Sequence, residues 1–278
     1  MTEGRNAVAA SSGSRADYDK MPGHWLLARM GKRVLRPGGR ELTEAMLRRV
    51  EIGPSDDVVE LGPGIGATTQ LILKLQPASV IGVERSAAAA VAVSAAVVLD
   101  RADCRCIVAD AAETGLGDST ADVVIAEALL TLHSDEKKQA MLAEAHRILR
   151  PGGRCAFHEL CLRPDTLDPD TQKIVSRELS SAVKVGARPL TAASWQQLAE
   201  SAGFEVRDVS TMPMQLLQPR RLINDEGLLR TLRIVFNILR TGPARRRVRV
   251  MRGTFRRHAD HLGAVALVAT KPAVPSNT

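Results

Sequence analysis

The feature that most constrains this chain is the alternation, from residue 57 onward, of short β-rich apolar runs with longer segments of helical periodicity. Such alternation is typical of a parallel sheet whose strands are joined by helical crossovers. Seven strands are predicted, at Asp57–Leu61, Ser79–Glu84, Cys104–Ala109, Ala121–Glu127, Arg154–Leu160, Phe204–Met212 and Leu262–Thr270. The sequence therefore predicts an α/β fold built on one mostly parallel sheet.

Helical patterns fill the gaps between these strands. They are predicted at 67–75, 86–99, 134–149, 168–185, 191–202, 228–240 and 243–257. Ser134 and Thr191 are expected to cap two of the helices, because a hydroxyl can accept a hydrogen bond from a free N–H of the first turn. Residues 213–260 form a helical insertion, since a hairpin would need only a few residues. We expect 1–16 to be a disordered tail and 17–278 to be a single domain.

The composition agrees with an ordinary globular protein. Of the 278 residues, 45% are hydrophobic and 25% are charged, which is enough to bury a core without disulfides or metal. No apolar run has the length of a membrane span or of a secretory signal, so a cytoplasmic location is expected. The four cysteines lack the spacing of a metal site and are expected to be buried thiols. No metal site is predicted.

The positive charge is concentrated in one segment. The chain carries a net charge of +7, but residues 219–258 hold twelve arginines against Asp225 and Glu226, a net +10 that leaves −3 for the rest. Four of these arginines follow one stripe of the last predicted helix, at positions 245, 249, 252 and 256. A solvated helix face, an anionic substrate and a membrane surface are the three interpretations open for the 245–257 segment.

A glycine-rich turn follows the first predicted strand. Glu60 and Leu61 lead into Gly62-Pro63-Gly64-Ile65-Gly66, and a helix begins directly afterwards. Glycines allow a tight turn and a close approach of backbone to a ligand, while the helix start offers N–H groups to an anion. A dinucleotide site has the spacing G-x-G-x-x-G, and a carboxylate beside it would repel a pyrophosphate. Both points argue against a nicotinamide-dependent oxidoreductase.

The same carboxylate suits S-adenosylmethionine, which carries an ammonium group and a sulfonium instead of phosphates. Glu60 can attract the ammonium, while the helix start meets the methionine carboxylate. Glu84 ends the second strand at the spacing expected for an acceptor of the ribose hydroxyls, and Asp110, after the third strand, can accept from the adenine amino group. All three acids are expected at one edge of the sheet.

These residues resemble the motif set of the class I S-adenosylmethionine-dependent methyltransferases, including small-molecule enzymes related to those of quinone biosynthesis. The resemblance covers about residues 42–160 and includes the run from His146 to Gly153 before the fifth strand. It implies a Rossmann-like seven-stranded sheet with an antiparallel last strand. The cofactor-binding residues that it implies are Glu60, Gly62, Pro63, Gly64, Gly66, Glu84, Arg85, Asp110 and Ala111.

Methyl transfer is an in-line displacement, so alignment of the two reactants can supply most of the catalysis. A base would assist an acceptor that must lose a proton. Glu127, His133 and Glu159 are the candidates, because they lie at the carboxyl ends of strands four and five, where open sheets bind ligands. Glu127 ranks first by its position in related enzymes. Each candidate also has a structural alternative: Glu127 as a strand-end cap, His133 as a surface loop residue and Glu159 as an ion-pair partner.

The sequence says less about the residues that bind the methyl acceptor than about those that bind the cofactor. Similar enzymes cover the active site with an N-terminal helix, here within a cap at 17–40, so Tyr18, His24 and Trp25 are candidate substrate contacts or packing residues. The helix predicted at 228–240 is apolar nearly all round, as expected if it is buried or roofs an apolar cavity. A small apolar or amphipathic acceptor is therefore predicted.

Two other functions stay open from the sequence. An RNA methyltransferase would use the arginines on phosphates, but only 3% of the residues are aromatic, which leaves few rings to stack a flipped base, so no nucleic-acid partner is expected. A non-catalytic cofactor-binding protein is the other alternative, since no single residue is diagnostic of this chemistry. The sequence does not indicate the oligomeric state.

Overall fold

The computed structural model describes residues 15–97 and 103–273. Most of the predicted N-terminal tail therefore lies outside the described residues. The helices are α1 (Arg15–Lys20), α2 (Gly23–Arg29), α3 (Gly39–Val50), α4 (Thr69–Leu73), α5 (Ala87–Val97), α6 (Asp135–Ile148), α7 (Pro169–Val183), α8 (Ala192–Ser201), α9 (Pro219–Glu226), α10 (Leu228–Arg240) and α11 (Gly242–Arg257). A short 3-10 turn spans Leu130–Leu132.

The strands form one mixed sheet. They are β1 (Asp57–Leu61), β2 (Ser79–Glu84), β3 (Cys104–Val108), β4 (Ala121–Glu127), β5 (Leu149–Leu162), β6 (Leu190–Thr191), β7 (Glu205–Pro213) and β8 (Leu262–Thr270). The order is β3-β2-β1-β4-β5-β8-β7, with β6 paired to β5. Among the strands of the described residues, only β8 runs antiparallel to its neighbours, β5 and β7. This confirms the Rossmann-like sheet and its antiparallel last strand.

Alternating side chains along the strands supply two cores, one on each face of the sheet. Val59 and Leu61 of β1 pack with α6 and α8, whereas Val58 packs with α3 and α4. Trp195 of α8 is fully buried, and its indole N–H donates to the Leu160 carbonyl at 3.1 Å. The alternation therefore decides on which face of the sheet each strand-end side chain lies.

The predicted helix caps are present. The hydroxyl of Ser134 accepts from the N–H of Lys137 at the start of α6, and that of Thr191 accepts from the N–H of Ser194 at the start of α8. Each cap satisfies an N–H group that has no partner within its own helix. These two helices therefore begin where the sequence predicts.

Several elements differ from the predictions. The N-terminal apolar pattern forms two short helices, because Pro22 lacks a backbone N–H and separates α1 from α2. Strand β5 begins at Leu149, five residues early, with a register shift against β4 beside Gly152 and Gly153. Strand β6 and helix α9 were not predicted. No helix in the described ranges is long and apolar enough to span a bilayer.

Helices from the two ends of the chain lie together over the sheet. We call α1, α2 and α9–α11 the cap. An apolar cluster joins α2, α7 and α11 through Leu26, Leu27, Ala182, Val248 and Met251. Helices α7 and α11 also pack on each other. Helices α2 and α11 of the cap face the carboxyl edge of the parallel strands, where the predicted site residues lie.

Candidate active site between the sheet and the cap

A cavity of about 530 Å³ lies between the carboxyl edge of the sheet and the cap. Its floor includes the glycine-rich turn after β1 and the ends of β2, β4 and β5. Its opposite wall comes from α2, α7, α11 and the segment 33–37. Nearly all of the predicted cofactor residues and all three candidate bases line this one space. Most of the predicted site residues thus line a single cavity.

The glycine-rich turn adopts a backbone that other residues rarely tolerate. Gly62, Gly64 and Gly66 have φ angles of +67°, +58° and +72°. A Cβ on Gly62 would lie 3.1 Å from the side chain of Leu129. Gly62 donates its N–H to the Val83 carbonyl at 2.9 Å, which ties the turn to β2. Glycine is therefore needed here both for the conformation and for the space.

Glu60 faces the cavity as a buried carboxyl group. It is 3% exposed, and the hydroxyl of Thr69 donates to its Oε2. Burial raises the pKa of Glu60 to about 7; the nearby charge of Glu127 adds to this, while Thr69 and Arg36 oppose it. No ion pair to Glu60 occurs among the described residues. A buried carboxyl group of this kind is suited to receive a cation from a ligand.

The other acids predicted to bind the cofactor lie along the same floor. Glu84 accepts from the Gly64 N–H at 3.3 Å. Asp110 forms an ion pair with Lys137 at 2.8 Å, and this hydrogen bond is the main cause that lowers its pKa. Pro63, Arg85 and Ala111 also line the cavity, whereas Gly66 lies behind the lining. The acids are thus ordered along the cavity from β1 to β3.

Glu127 is held by four side chains. Arg36 and Thr68 donate to Oε2, Thr43 donates to Oε1 at 2.6 Å, and the Nδ1 of His158 lies 2.9 Å from Oε1. Burial alone would raise its pKa, but Arg36, His158 and Thr43 lower it to about 2. A carboxylate so stabilised is a weak proton acceptor at neutral pH. The geometry favours a structural role for Glu127 over its predicted role as first-ranked base.

His158, on the next strand, extends this network. Its Nε2 accepts from the Gly38 N–H at 2.9 Å, so its Nδ1 carries the proton and donates to Glu127. The ring is completely buried. His158 and Glu127 therefore connect the sheet to the segment that precedes α3.

Glu159 faces the opposite side of β5, as strand alternation predicts. Its two oxygens accept from the N–H groups of Leu129, Leu130 and Thr131 and from the Thr131 hydroxyl, at 2.7 to 3.1 Å. Burial raises the pKa of Glu159, and these four donors oppose the rise. With its lone pairs in use, Glu159 is better suited to fix the turn after β4 than to accept a substrate proton.

The imidazoles of His24 and His133 also line the cavity. Burial lowers the pKa of both His24 and His133, which keeps each ring neutral. Besides burial, the charges of Arg85, Asp110 and Lys137 act most on the pKa of His133. His133 therefore lies on the side of the cavity that holds the adenine-binding candidate. His24 lies in α2, on the opposite wall.

Of the three predicted substrate contacts, His24 and Trp25 line the cavity. Tyr18 does not: it packs in the apolar cluster of the cap, where the guanidinium of Arg29 lies 4.8 Å from its ring centre. The wall around His24 is mainly apolar. It includes Leu27, Leu35, Leu160, Leu179, Val183, Met214, Leu216, Met251 and Phe255.

Several residues of the site were not predicted from the sequence. Arg36 and Thr68 hold Glu127, and both are buried. Met214 and Leu216 reach the cavity from the loop after β7. No residue of α9 or α10 lines the cavity, so the expectation that the 228–240 helix is buried or roofs it was wrong. The apolar wall from the insertion comes from that loop and from α11.

Comparisons with known proteins agree with this arrangement. The model of the family described as "Methyltransferase domain" matches residues 59–157, which include the glycine-rich turn and strands β2 to β4. An uncharacterized protein of Haemophilus influenzae is 30% identical over 220 residues, which cover 78% of this chain and 86% of that protein.

Solved structures show the same fold at low sequence identity. A phosphoethanolamine N-methyltransferase of Haemonchus contortus, in complex with phosphomonomethylethanolamine and S-adenosylhomocysteine, has a TM-score of 0.67 at 18% identity; the match covers 94% of this chain and 61% of that one. The cyclase SpnF has a TM-score of 0.63 at 16% identity, with 84% and 81% of the two chains covered. The fold alone therefore does not determine the reaction.

Proposed function

Because the chain belongs to the class I S-adenosylmethionine-dependent methyltransferases, we propose that its methyl acceptor is a small molecule with an apolar body. The family makes the chain an enzyme and S-adenosylmethionine its methyl donor. The observation that carries the proposal is the continuity of one cavity, from the acidic floor at the glycine-rich turn to the apolar wall beneath α2, α7 and α11.

The floor of the cavity has the charges that the donor needs. Glu60 would receive the ammonium of the methionine part, Glu84 the ribose hydroxyls, and Asp110 with Ala111 the adenine. The backbone of the glycine-rich turn would lie against the methionine part, since no side chain separates them there. Arg85 is exposed beside Glu84 and would contact the outer edge of the nucleoside. In this order the methyl group would lie toward the apolar wall.

The apolar wall is the reason for preferring an acceptor with an apolar body. The Haemonchus relative binds a small phosphorylated amine, whereas much of the wall in this chain is formed by Leu, Val, Met and Phe. Burial of such a wall against an apolar ligand is favourable, and a strongly polar ligand would lose hydration without regaining it. Arg33 is exposed at the rim, where it can meet an anionic group of the acceptor. An amphipathic acid or phenol fits this distribution.

His24 is the group that we assign to the acceptor's proton. It projects from α2 into the apolar part of the cavity, and its lowered pKa leaves the neutral ring able to accept a proton. The oxygen or nitrogen of the acceptor would attack the methyl carbon in line with the sulfonium, the C–S bond would break, and the acceptor proton would pass to the imidazole. A well-placed base contributes about 10² to 10⁴-fold.

An acceptor screen tests the proposal. Release of S-adenosylhomocysteine is measured with fatty acids, phenols, phosphoethanolamine and transfer RNA as separate acceptors. Turnover with an amphipathic acid or phenol supports the proposal, and turnover confined to phosphoethanolamine or RNA contradicts it.

The role of His24 is tested in the same assay with the acceptor found. His24→Gln is expected to lower kcat by at least about tenfold while the affinity for S-adenosylmethionine stays unchanged. His133→Gln is the matched control and is expected to weaken cofactor binding instead. Loss of turnover in His133→Gln alone would transfer the role to His133.

A further inference from the structure

Helix α10 exposes a continuous apolar face, opposite to the one that packs on the protein. Six large apolar side chains are 41% to 84% exposed and share this face: Leu228, Leu229, Leu232, Val235, Phe236 and Leu239. At 3.6 residues per turn they fall within about one third of the helix circumference. Soluble chains rarely leave such a contiguous apolar surface uncovered.

The inner face of the same helix is fixed firmly to the cap. Thr231 and Ile234 are buried, and the side-chain amide of Asn237 donates to the Met30 carbonyl at 3.0 Å. The helix also packs against α9 and α11. Helix α10 is therefore not a loosely attached core helix. The contacts of its inner face hold its apolar outer face toward solvent.

Exposed arginines lie beside this face on its own helix and occur again on the next helix. Arg233 and Arg240 are exposed on α10 itself, and Arg240 lies 6.0 Å from the ring of Phe236. The next helix presents further exposed arginines, at 245, 246, 249, 252 and 256. The segment from 219 to 258 carries a net charge of +10. The apolar face of α10 thus has arginines along one margin, and the adjoining helix adds further exposed positive charge.

We propose that the outer face of α10 docks this protein on the surface of a membrane that contains anionic lipid. A helix that lies in the interface inserts its apolar side chains among the acyl chains, while arginines at its margins meet the lipid phosphates. A second copy of the chain fits less well, because a two-fold contact on this face would bring the same arginines against each other. A nucleic acid would match the arginines but not the six exposed apolar side chains of α10.

Vesicle sedimentation of the full-length protein tests the proposal. Binding is expected to vesicles of equimolar phosphatidylcholine and phosphatidylglycerol, to be weaker with phosphatidylcholine alone, and to fall as salt is added. Leu232→Gln with Phe236→Gln should lower vesicle binding by at least about tenfold, because two apolar side chains would no longer insert among the acyl chains. Arg233→Gln with Arg240→Gln should lower binding to the anionic vesicles by about fivefold per arginine.

Matched controls come from the opposite edge of the sheet. Val91 is 69% exposed on α5, and Arg105 is exposed on β3. Val91→Gln and Arg105→Gln should leave vesicle binding unchanged. Circular dichroism checks that the α10 double variant folds; if it does not, Leu229→Gln, at a side chain 84% exposed, tests the same face.

Three results would overturn the proposal: no binding to anionic vesicles, binding that the α10 variants do not reduce, or a wild-type dimer that those variants convert into monomers without any vesicle binding. Sedimentation velocity distinguishes the last case. None of these measurements depends on methyl transfer.

Discussion

At the scale of single residues, the buried carboxyl group of Glu60 gives the clearest physical expectations for this molecule. A buried carboxyl group without an ion-pair partner is costly to ionise, and its pKa of about 7 in the free protein reflects that cost. The ammonium of the methyl donor would supply the missing counter-charge. Two measurable consequences follow from this one group.

The first consequence is a pH dependence of cofactor binding. Below pH 7 Glu60 of the free protein is protonated and must lose its proton before it can pair with the ammonium. We expect the Kd for S-adenosylmethionine to rise by up to about tenfold for each pH unit below about 7, and to level off above it. Isothermal titration calorimetry at several pH values, in buffers of different ionisation enthalpy, would also detect the released proton. A flat profile would mean that Glu60 does not meet the ammonium.

The second consequence is a conflict between stability and binding. A carboxyl group whose pKa rises from 4.5 to about 7 on folding destabilises the free protein increasingly between those pH values. Glu60→Gln should therefore raise the free energy of unfolding at neutral pH by about 1 to 3 kcal/mol, and Tm by several degrees. The same variant should lose the thermal shift that S-adenosylmethionine induces. Glu84→Gln, at a partly exposed site, is the control and should leave the Tm of the free protein unchanged.

The sequence predicts the acids of the floor well and their partners poorly. Glu60, Glu84 and Asp110 stand at or just after strand ends, and parallel strands bring such positions to one edge. Arg36 and Thr68 reach the same cavity from segments 91 and 59 residues away from Glu127. No local pattern marks these two residues, so the restraint on Glu127 became visible only in three dimensions.

At the scale of elements, a buried polar network connects β4 and β5 to the segment before α3. Arg36 and Glu127 form its ion pair at 2.8 Å, with side chains 7% and 5% exposed. His158 links the same carboxylate to the backbone of Gly38. The network therefore fixes the 33–38 segment, which is also part of the cavity wall.

Glu127→Gln should destabilise the protein strongly, because it leaves Arg36 buried without its counter-charge. Removing one partner of a buried pair costs about 3 to 5 kcal/mol, and Tm falls by about 2 to 4 °C for each kcal/mol in a chain of this size. The carboxylate's stabilisation is complete above its unfolded pKa of 4.5 and is lost as pH falls toward about 2. The Tm difference between wild type and variant should therefore shrink in that window. An unchanged Tm with lost turnover would restore Glu127 as the base.

Elements that capping residues or apolar spacing mark locally were predicted, and an element that forms only through its tertiary contacts was not. Helices α6 and α8 have capping residues and regular apolar spacing, and both begin as expected. Helix α10 has an apolar pattern of similar strength, and the helix itself was predicted. The pattern does not distinguish an apolar face that packs on the core from one that is exposed to solvent. Strand β6 has two residues and exists only through its pairing with β5. Its formation depends on the tertiary fold.

At the scale of the whole molecule, charged contacts of α9 add to the apolar packing through which α2 and α11 of the cap join α7. Arg221 of α9 donates to Glu41 at 2.7 Å and to the Gly38 carbonyl, and it is 6% exposed. Asp225 accepts from the Arg40 N–H at 2.9 Å, at the start of α3. These contacts connect the C-terminal half of the cap to the segment that also holds Glu127. Their loss should loosen the acceptor side of the cavity more than the cofactor side.

Arg221→Met tests whether the cap contacts support the acceptor side of the cavity more than the cofactor side. Hydrogen–deuterium exchange should increase in 23–40 and 219–257, while β1, β4 and β5 keep their protection, because the two sheet cores do not depend on the cap contacts. The KM for the acceptor should rise, and the Kd for S-adenosylmethionine should stay unchanged, since Glu60 and the glycine-rich turn lie within the sheet layer. Arg207→Met removes an ion pair with Glu205 whose side chains are 60% and 54% exposed, and such a pair contributes little. Increased exchange spread evenly over the sheet would show that cap and sheet unfold as one unit.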